Sequence, residues 1–179
     1  MLDGEKRIIQ DAVKGEASAF GLLYDHYQPQ IYRFVVIKVG RREDAEDLTH
    51  HVFLSAWKNI GSYEEVGHPF SSWLYQIARN LVIDHYRAKR QEVGLQEAEE
   101  ANLLGHAPSS EADMEQSLAM EKVARAIRLL SPLHQDVVIM RFVEELTVKE
   151  VGTTLKKSEG AVKVLQHRAI QKLKELLLS

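Results

Sequence analysis

Residues Leu146–Lys174, LTVKEVGTTLKKSEGAVKVLQHRAIQKLK, decide how the rest of the chain is read. Thr147 and Glu150 stand at the spacing of a capping box, in which two side chains satisfy backbone donors that a helix start leaves unpaired. Val148, Val151 and Leu155 recur at helical spacing, which predicts a first short helix over 147–155. Gly152 costs about 1 kcal/mol inside a helix, so its presence predicts a close approach between this helix and the next. Lys156 and Lys157 make a polar turn, and Ser158 can cap a second helix over 159–177. That helix carries an apolar stripe of Ala161, Val162, Leu165, Ala169, Leu173 and Leu176. Its other side holds Lys163, His167, Arg168, Gln171, Lys172 and Lys174. A basic face on an isolated helix is commonly just solvated. Behind a capped helix and a tight turn it has the layout of a helix-turn-helix, whose second helix enters the DNA major groove. Glu159, Lys163 and Gln166 are placed to reach base edges, and Lys156, Lys157 and Arg168 suit phosphates.

Helical periodicity extends over most of the remaining chain and strand signals are scarce, so the fold class is all-α. Helices are predicted over 3–14, 17–39, 43–60 and 70–90, with Pro29 bending or interrupting the second and Gly15, Gly40 and Gly61 at the junctions. These form a first domain, residues 1–90. Residues 91–117 contain Gly94, Gly105, Pro108 and a Ser109-Ser110 pair, and read as a flexible acidic linker. The second domain, 118–179, is predicted to hold helices near 116–129, 132–144, 147–155 and 159–177, the second of them opening on Ser131-Pro132.

The formal net charge of −3 is unevenly spread: 0 over residues 1–90, −7 over 91–117 and +4 over 118–179. Phosphate neutralisation supplies most nonspecific DNA affinity, so a chain this weakly charged is expected to need a partner to hold a duplex. No apolar run reaches membrane-spanning length and no secretory leader pattern is evident. The absence of cysteine excludes disulfides and thiol-ligated zinc and fits a cytoplasmic location. There is no phosphate-binding glycine loop, metal-ligand cluster or nucleophile with an evident base, so neither catalysis nor a cofactor is expected. His50-His51 invites a metal reading, but adjacent helical residues point about 100° apart and a third ligand is missing.

Two more helices carry candidate contacts. In 43–60, Ala45, Leu48, Val52, Ala56 and Ile60 make one apolar face, while Asp44, Asp47, His51, Leu54, Ser55 and Lys58 project elsewhere. An acidic first turn also suits the helix dipole. In 70–90, Leu74, Ile77, Ala78, Leu81 and His85 can line the buried side, leaving Trp73, Gln76, Asn80, Ile83 and Arg87 as a stripe. Arg79, Arg87, Lys89 and Arg90 add positive charge against Asp84. Aromatic rings stack on bases and cations follow a backbone, which is how single-stranded nucleic acid is held. The preceding loop, Gly61 to His68, places Tyr63 where it could receive an extruded base.

In chain order, D-A-E-D-L, F-S-S-W-L-Y-Q-I-A-R-N-L-V-I-D, an acidic linker, L-S-P-L-H-Q-D-V-V-I-M-R-F and S-E-G-A-V-K follow one another. Over nearly its whole length the chain resembles a bacterial extracytoplasmic-function RNA polymerase sigma factor with regions 2 and 4. The resemblance implies that Asp44, Asp47, His50, His51 and Leu54 dock on the β′ clamp coiled coil of core polymerase. It implies that Tyr63, Trp73, Gln76, Arg79, Asn80 and Arg87 melt and hold the minus-10 element. Lys157, Ser158, Glu159, Lys163, Gln166, His167 and Arg168 would read the minus-35 element, with region 4 seated on the β flap. The acidic linker would follow channels otherwise taken by nucleic acid, and an anti-sigma protein is an implied partner. Two departures stand out. His50-His51 replaces a common Gln-Glu pair, and Ala161, Val164, Leu165, Gln166 and Ile170 replace hydroxyl, arginine and other residues of the usual recognition helix, leaving fewer donors for DNA.

A stand-alone helix-turn-helix regulator is the competing reading, and it predicts tight duplex binding without polymerase. The stripe from Trp73 to Arg87 argues against it, because a sensor domain has no need of a cationic aromatic strip.

Overall fold

A computed structural model describes residues 2–64, 67–92 and 111–178. Among them are eight α-helices and no strand: α1 Glu5–Val13, α2 Ala17–Val39, α3 Arg42–Asn59, α4 Phe70–Glu92, α5 Glu111–Arg128, α6 Pro132–Val138, α7 Val148–Leu155 and α8 Glu159–Leu178. A 3-10 turn, Ile60–Ser62, follows α3, and a π-helical turn, Ile139–Val143, prolongs α6. The predicted helices are present to within a few residues at most ends. Both edges of the predicted linker are helical instead, since residues 91–92 complete α4 and residues 111–117 open α5. EADMEQS is rich in strong helix formers, and its acidic residues suit the N-terminal end of a helix dipole. The remainder of the linker, 93–110, lies outside the described residues.

Helices α1–α4 pack around Leu23, Ile31, Phe34, Val52, Leu74 and Tyr75, all essentially inaccessible to solvent. Helices α5–α8 enclose Val137, Ile139, Met140, Val151 and Val162. The two groups meet, with α2 against α5 and α4 against α7, so that one apolar cluster runs from Ile9 to Ala169.

Pro29 does not interrupt α2, which continues from Ala17 to Val39. Its ring lies on the exposed side, next to exposed Asp25. The carbonyl of Asp25, deprived of its donor, therefore faces water rather than the core. Gly40 ends α2 at φ 76°, a left-handed value that favours glycine.

Candidate nucleic-acid interface

The C-terminal reading surface is built as its sequence dictates. Thr147 Oγ1 accepts from the Glu150 amide at 3.2 Å while the Glu150 carboxylate accepts from the Thr147 amide at 2.7 Å, completing the capping box. Lys156 closes α7 in the left-handed region, and the Ser158 hydroxyl caps α8 by accepting from the Ala161 amide at 3.2 Å. At Gly152 a Cβ would stand 2.8 Å from the Lys157 carbonyl, 3.8 Å from Val162 and 3.9 Å from the Glu159 amide. The close approach is therefore tightest at the turn itself, with α8 just behind.

On α8 the apolar stripe is turned inward: Val162 and Ala169 are buried, and Ala161, Leu165, Leu173 and Leu176 are half-buried. Lys156, Lys157, Ser158, Glu159, Lys163, His167 and Arg168 are exposed together. Gln166 is not free in the same way. Arg141 donates from Nε to Gln166 Oε1 at 3.0 Å and from Nη1 to the Leu146 carbonyl, tying the π-helical turn to α8 and to the residue just before the α7 cap.

Helix α4 divides its predicted stripe in two. Asn80, Ile83 and Arg87 are exposed, with Arg87 3.7 Å from Asp84. Trp73 is half-buried in an aromatic cluster, 5.0 Å from Tyr63 and 5.5 Å from Phe70 between ring centroids. Tyr63 packs on Phe70 at 5.3 Å and donates its hydroxyl to the His68 carbonyl at 3.2 Å. A strand in this region would meet ring edges already held by neighbours. Arg79 points to neither face of the stripe but donates to Asp136 at 2.7 Å. His68 lies across a recess of about 490 Å³ from Lys149, Lys156, Lys157 and Ser158, so the loop before α4 and the turn of the reading motif face each other.

Helix α3 buries Ala45, Leu48, Val52 and Ala56 as its spacing predicts, together with Thr49 and Phe53. Asp47, His50, His51 and Leu54 are exposed on one side. Asp44 is engaged within the chain, its carboxylate 3.2 Å from Lys89 Nζ and 3.5 Å from His85 Nε2. Next to Leu54, sequence reasoning missed an aromatic ledge. Trp57 packs on Phe20 in a tilted pair, 4.9 Å between ring centroids, and, with Ala17, Gly21 and Tyr24, lines a shallow recess of about 300 Å³. The available signal was Trp57 itself, a large apolar residue off the buried face of an amphipathic helix. Among the described residues no three His, Asp or Glu side chains are gathered for a metal, and no helix is long and apolar enough to cross a membrane.

Comparison with known proteins matches the family described as Sigma-70 region 2 to residues 23–92 and Sigma-70 region 4 to residues 126–175. The chain is 41% identical over 172 residues to the extracytoplasmic-function (ECF) RNA polymerase sigma factor BldN of Streptomyces coelicolor, covering 95% of this chain and 64% of that relative. It is 31% identical to the ECF RNA polymerase sigma factor SigW of Bacillus subtilis, covering 96% of each. Among solved structures, CnrH in complex with the cytosolic domain of CnrY matches with a TM-score of 0.72 at 21% identity, over 97% of this chain and 96% of that one. The sigma factor RpoE bound to the anti-sigma factor NepR from Bartonella quintana matches at 0.70 and 21% identity, over 88% and 96%. These two likenesses establish the fold.

Proposed function

The chain belongs to the extracytoplasmic-function RNA polymerase sigma factors, and from that premise we propose how its surfaces divide the work of promoter recognition. The protein binds core RNA polymerase and directs initiation at promoters carrying minus-10 and minus-35 elements. Asp47, His50, His51 and Leu54 make the α3 face that seats on the β′ clamp coiled coil, and the Trp57 ledge extends it. Asp44 supports that face from beneath by holding Lys89 and His85. Region 4 sits on the β flap and presents α8 to the minus-35 duplex. Lys163 and Glu159 reach bases, Gln166 is oriented by Arg141, and Lys157, Ser158, His167 and Arg168 meet the backbone.

On α4, Asn80 and Arg87 hold the nontemplate strand of the minus-10 element, with Gln76 beside them. Trp73 and Tyr63 set the edge against which an unstacked base rests. Arg79 joins this set only when it leaves Asp136. Residues 1–90 and 118–179 serve as the two sigma domains and 91–117 as the connector between them. An anti-sigma protein restrains the factor in the cytoplasm, and the protein itself performs no catalysis.

The observation that carries the reading is that α8 exposes Lys163, His167 and Arg168 behind a capped turn suited to a duplex, while α4 exposes Asn80 and Arg87 on the helix that also holds Trp73 in its aromatic cluster, groups suited to a single strand. Run-off transcription from genomic fragments with bacterial core polymerase tests it. New starts that need the protein and share two upstream elements are expected. Duplex shifts by the protein alone, with no new starts, favour the stand-alone regulator.

A further inference from the structure

Charged side chains, not only apolar ones, join the two helical groups. Asp136, on α6, is 2% exposed and uses both carboxylate oxygens: Oδ1 accepts from Lys38 Nζ on α2, and Oδ2 accepts from Arg79 Nε on α4 at 2.7 Å. Glu144, just past the π-helical turn, has a fully buried carboxylate gripped by Arg33 of α2 at 3.1 and 2.8 Å. Arg128 of α5 lies over Gly40, where a Cβ would be 3.1 Å from its guanidinium, and donates to the Ile37 carbonyl at 3.4 Å.

A seam of this composition can be opened in a way an apolar one cannot. Buried ion pairs lose hydration that their mutual attraction only partly restores. Burial pushes the Lys38 ammonium below its ordinary pKa and the Glu144 carboxyl above its own, both in the direction of losing charge. Separating the helical groups returns water to these groups. It also frees Arg79, a guanidinium whose geometry suits a phosphate as well as a carboxylate. In the closed arrangement His68 stands across a recess from Lys149, Lys156 and Lys157 while Lys163, His167 and Arg168 of α8 stay exposed, so the group that closure withholds is Arg79.

We propose that Asp136 latches an autoinhibited closed state. While its carboxylate holds Lys38 and Arg79, region 4 is kept against α2 and α4, and a nucleic-acid phosphate competes with Asp136 for Arg79. The competition for Arg79 rests on the minus-10 reading of α4; the latch does not.

The chain lacks cysteine, so Gln10→Cys on α1 and Gln171→Cys on α8, both exposed, accept spin labels uniquely. Pulsed electron paramagnetic resonance on the free full-length chain is expected to give one narrow distance population. Asp136→Asn should add a second, longer one. Arg79→Gln removes one of the two cations that hold Asp136, from a side chain that is 21% exposed; it should also add the longer population, and it decides the matter if Asp136→Asn loses helix content by circular dichroism. Anisotropy with a mixed-sequence 12-nucleotide single strand should show at least tenfold tighter binding by Asp136→Asn, lost again in Asp136→Asn/Arg79→Gln. A single unchanged distance in variants of native helix content, or an already broad distribution in the parent, overturns the latch. Opening without tighter strand binding overturns the competition for Arg79. Neither readout contains polymerase or promoter, so a failed latch leaves the sigma-factor function standing, and failed transcription leaves the latch standing.

Discussion

Gly152 shows how one missing side chain sets a reading surface. The 2.8 Å approach of a would-be Cβ to the Lys157 carbonyl involves backbone on both sides, so relief requires the turn to move. Gly152→Ala should lower stability by about 1–3 kcal/mol, as overpacking does, despite the better helix propensity of alanine, and thermal unfolding should register the change. Thr147→Ala removes one half of the capping box and should cost about 1 kcal/mol. Lys163 is exposed near the start of α8, so Lys163→Ala should leave the melting temperature unchanged. Its effect belongs to the minus-35 element, where removing a hydrogen bond to a base edge costs about 1–3 kcal/mol in binding by the polymerase complex. Asn80→Ala and Trp73→Ala separate on the same logic: the first leaves folding intact, whereas the second also removes the ring packed on Tyr63 and Phe70 and lowers stability.

At the scale of helices, α2 carries a local defect that its solvent-facing side tolerates. Pro29→Ala restores a donor to the Asp25 carbonyl and should stabilise the chain by roughly 1–3 kcal/mol, bounded above by the cost of proline inside a helix. Calorimetry would see this as a rise in melting temperature of several degrees. Helix positions, the capped turn and the inward stripe of α8 were legible because they follow from spacing within a few residues. The same was true of Asp47, His51 and Leu54, which project off the apolar face of α3. Arg79 falls among the strand-binding residues on sequence alone because α4 offers it no acid at the right spacing; its partner lies 57 residues away. Likewise, Lys38 sits among apolar neighbours in α2 and meets Asp136 across 98 residues. Asp44 looks available to an external partner because Lys89 and His85, which hold it, belong to α4. Pairings between distant helices leave no periodic trace, and that is where the legibility of the site ends.

For the molecule as a whole, the formal charge is 0 over residues 1–90 and +4 over 118–179, so specific binding is expected to wait on polymerase. Affinity of the polymerase complex for promoter DNA should therefore fall with salt, with a log–log slope that Arg168→Ala or Lys157→Ala reduces by about one for each phosphate no longer neutralised. The free chain should show weak duplex binding under the same conditions. Permanganate footprinting of thymines around a start site mapped by run-off tests the central claim most directly. Thymines of the upstream minus-10 element should become reactive only when core polymerase and this protein are both present, and Asn80→Ala should suppress that reactivity at unchanged thermal stability. Tight duplex binding by the protein alone, with no polymerase-dependent reactivity at any thymine, would contradict the account.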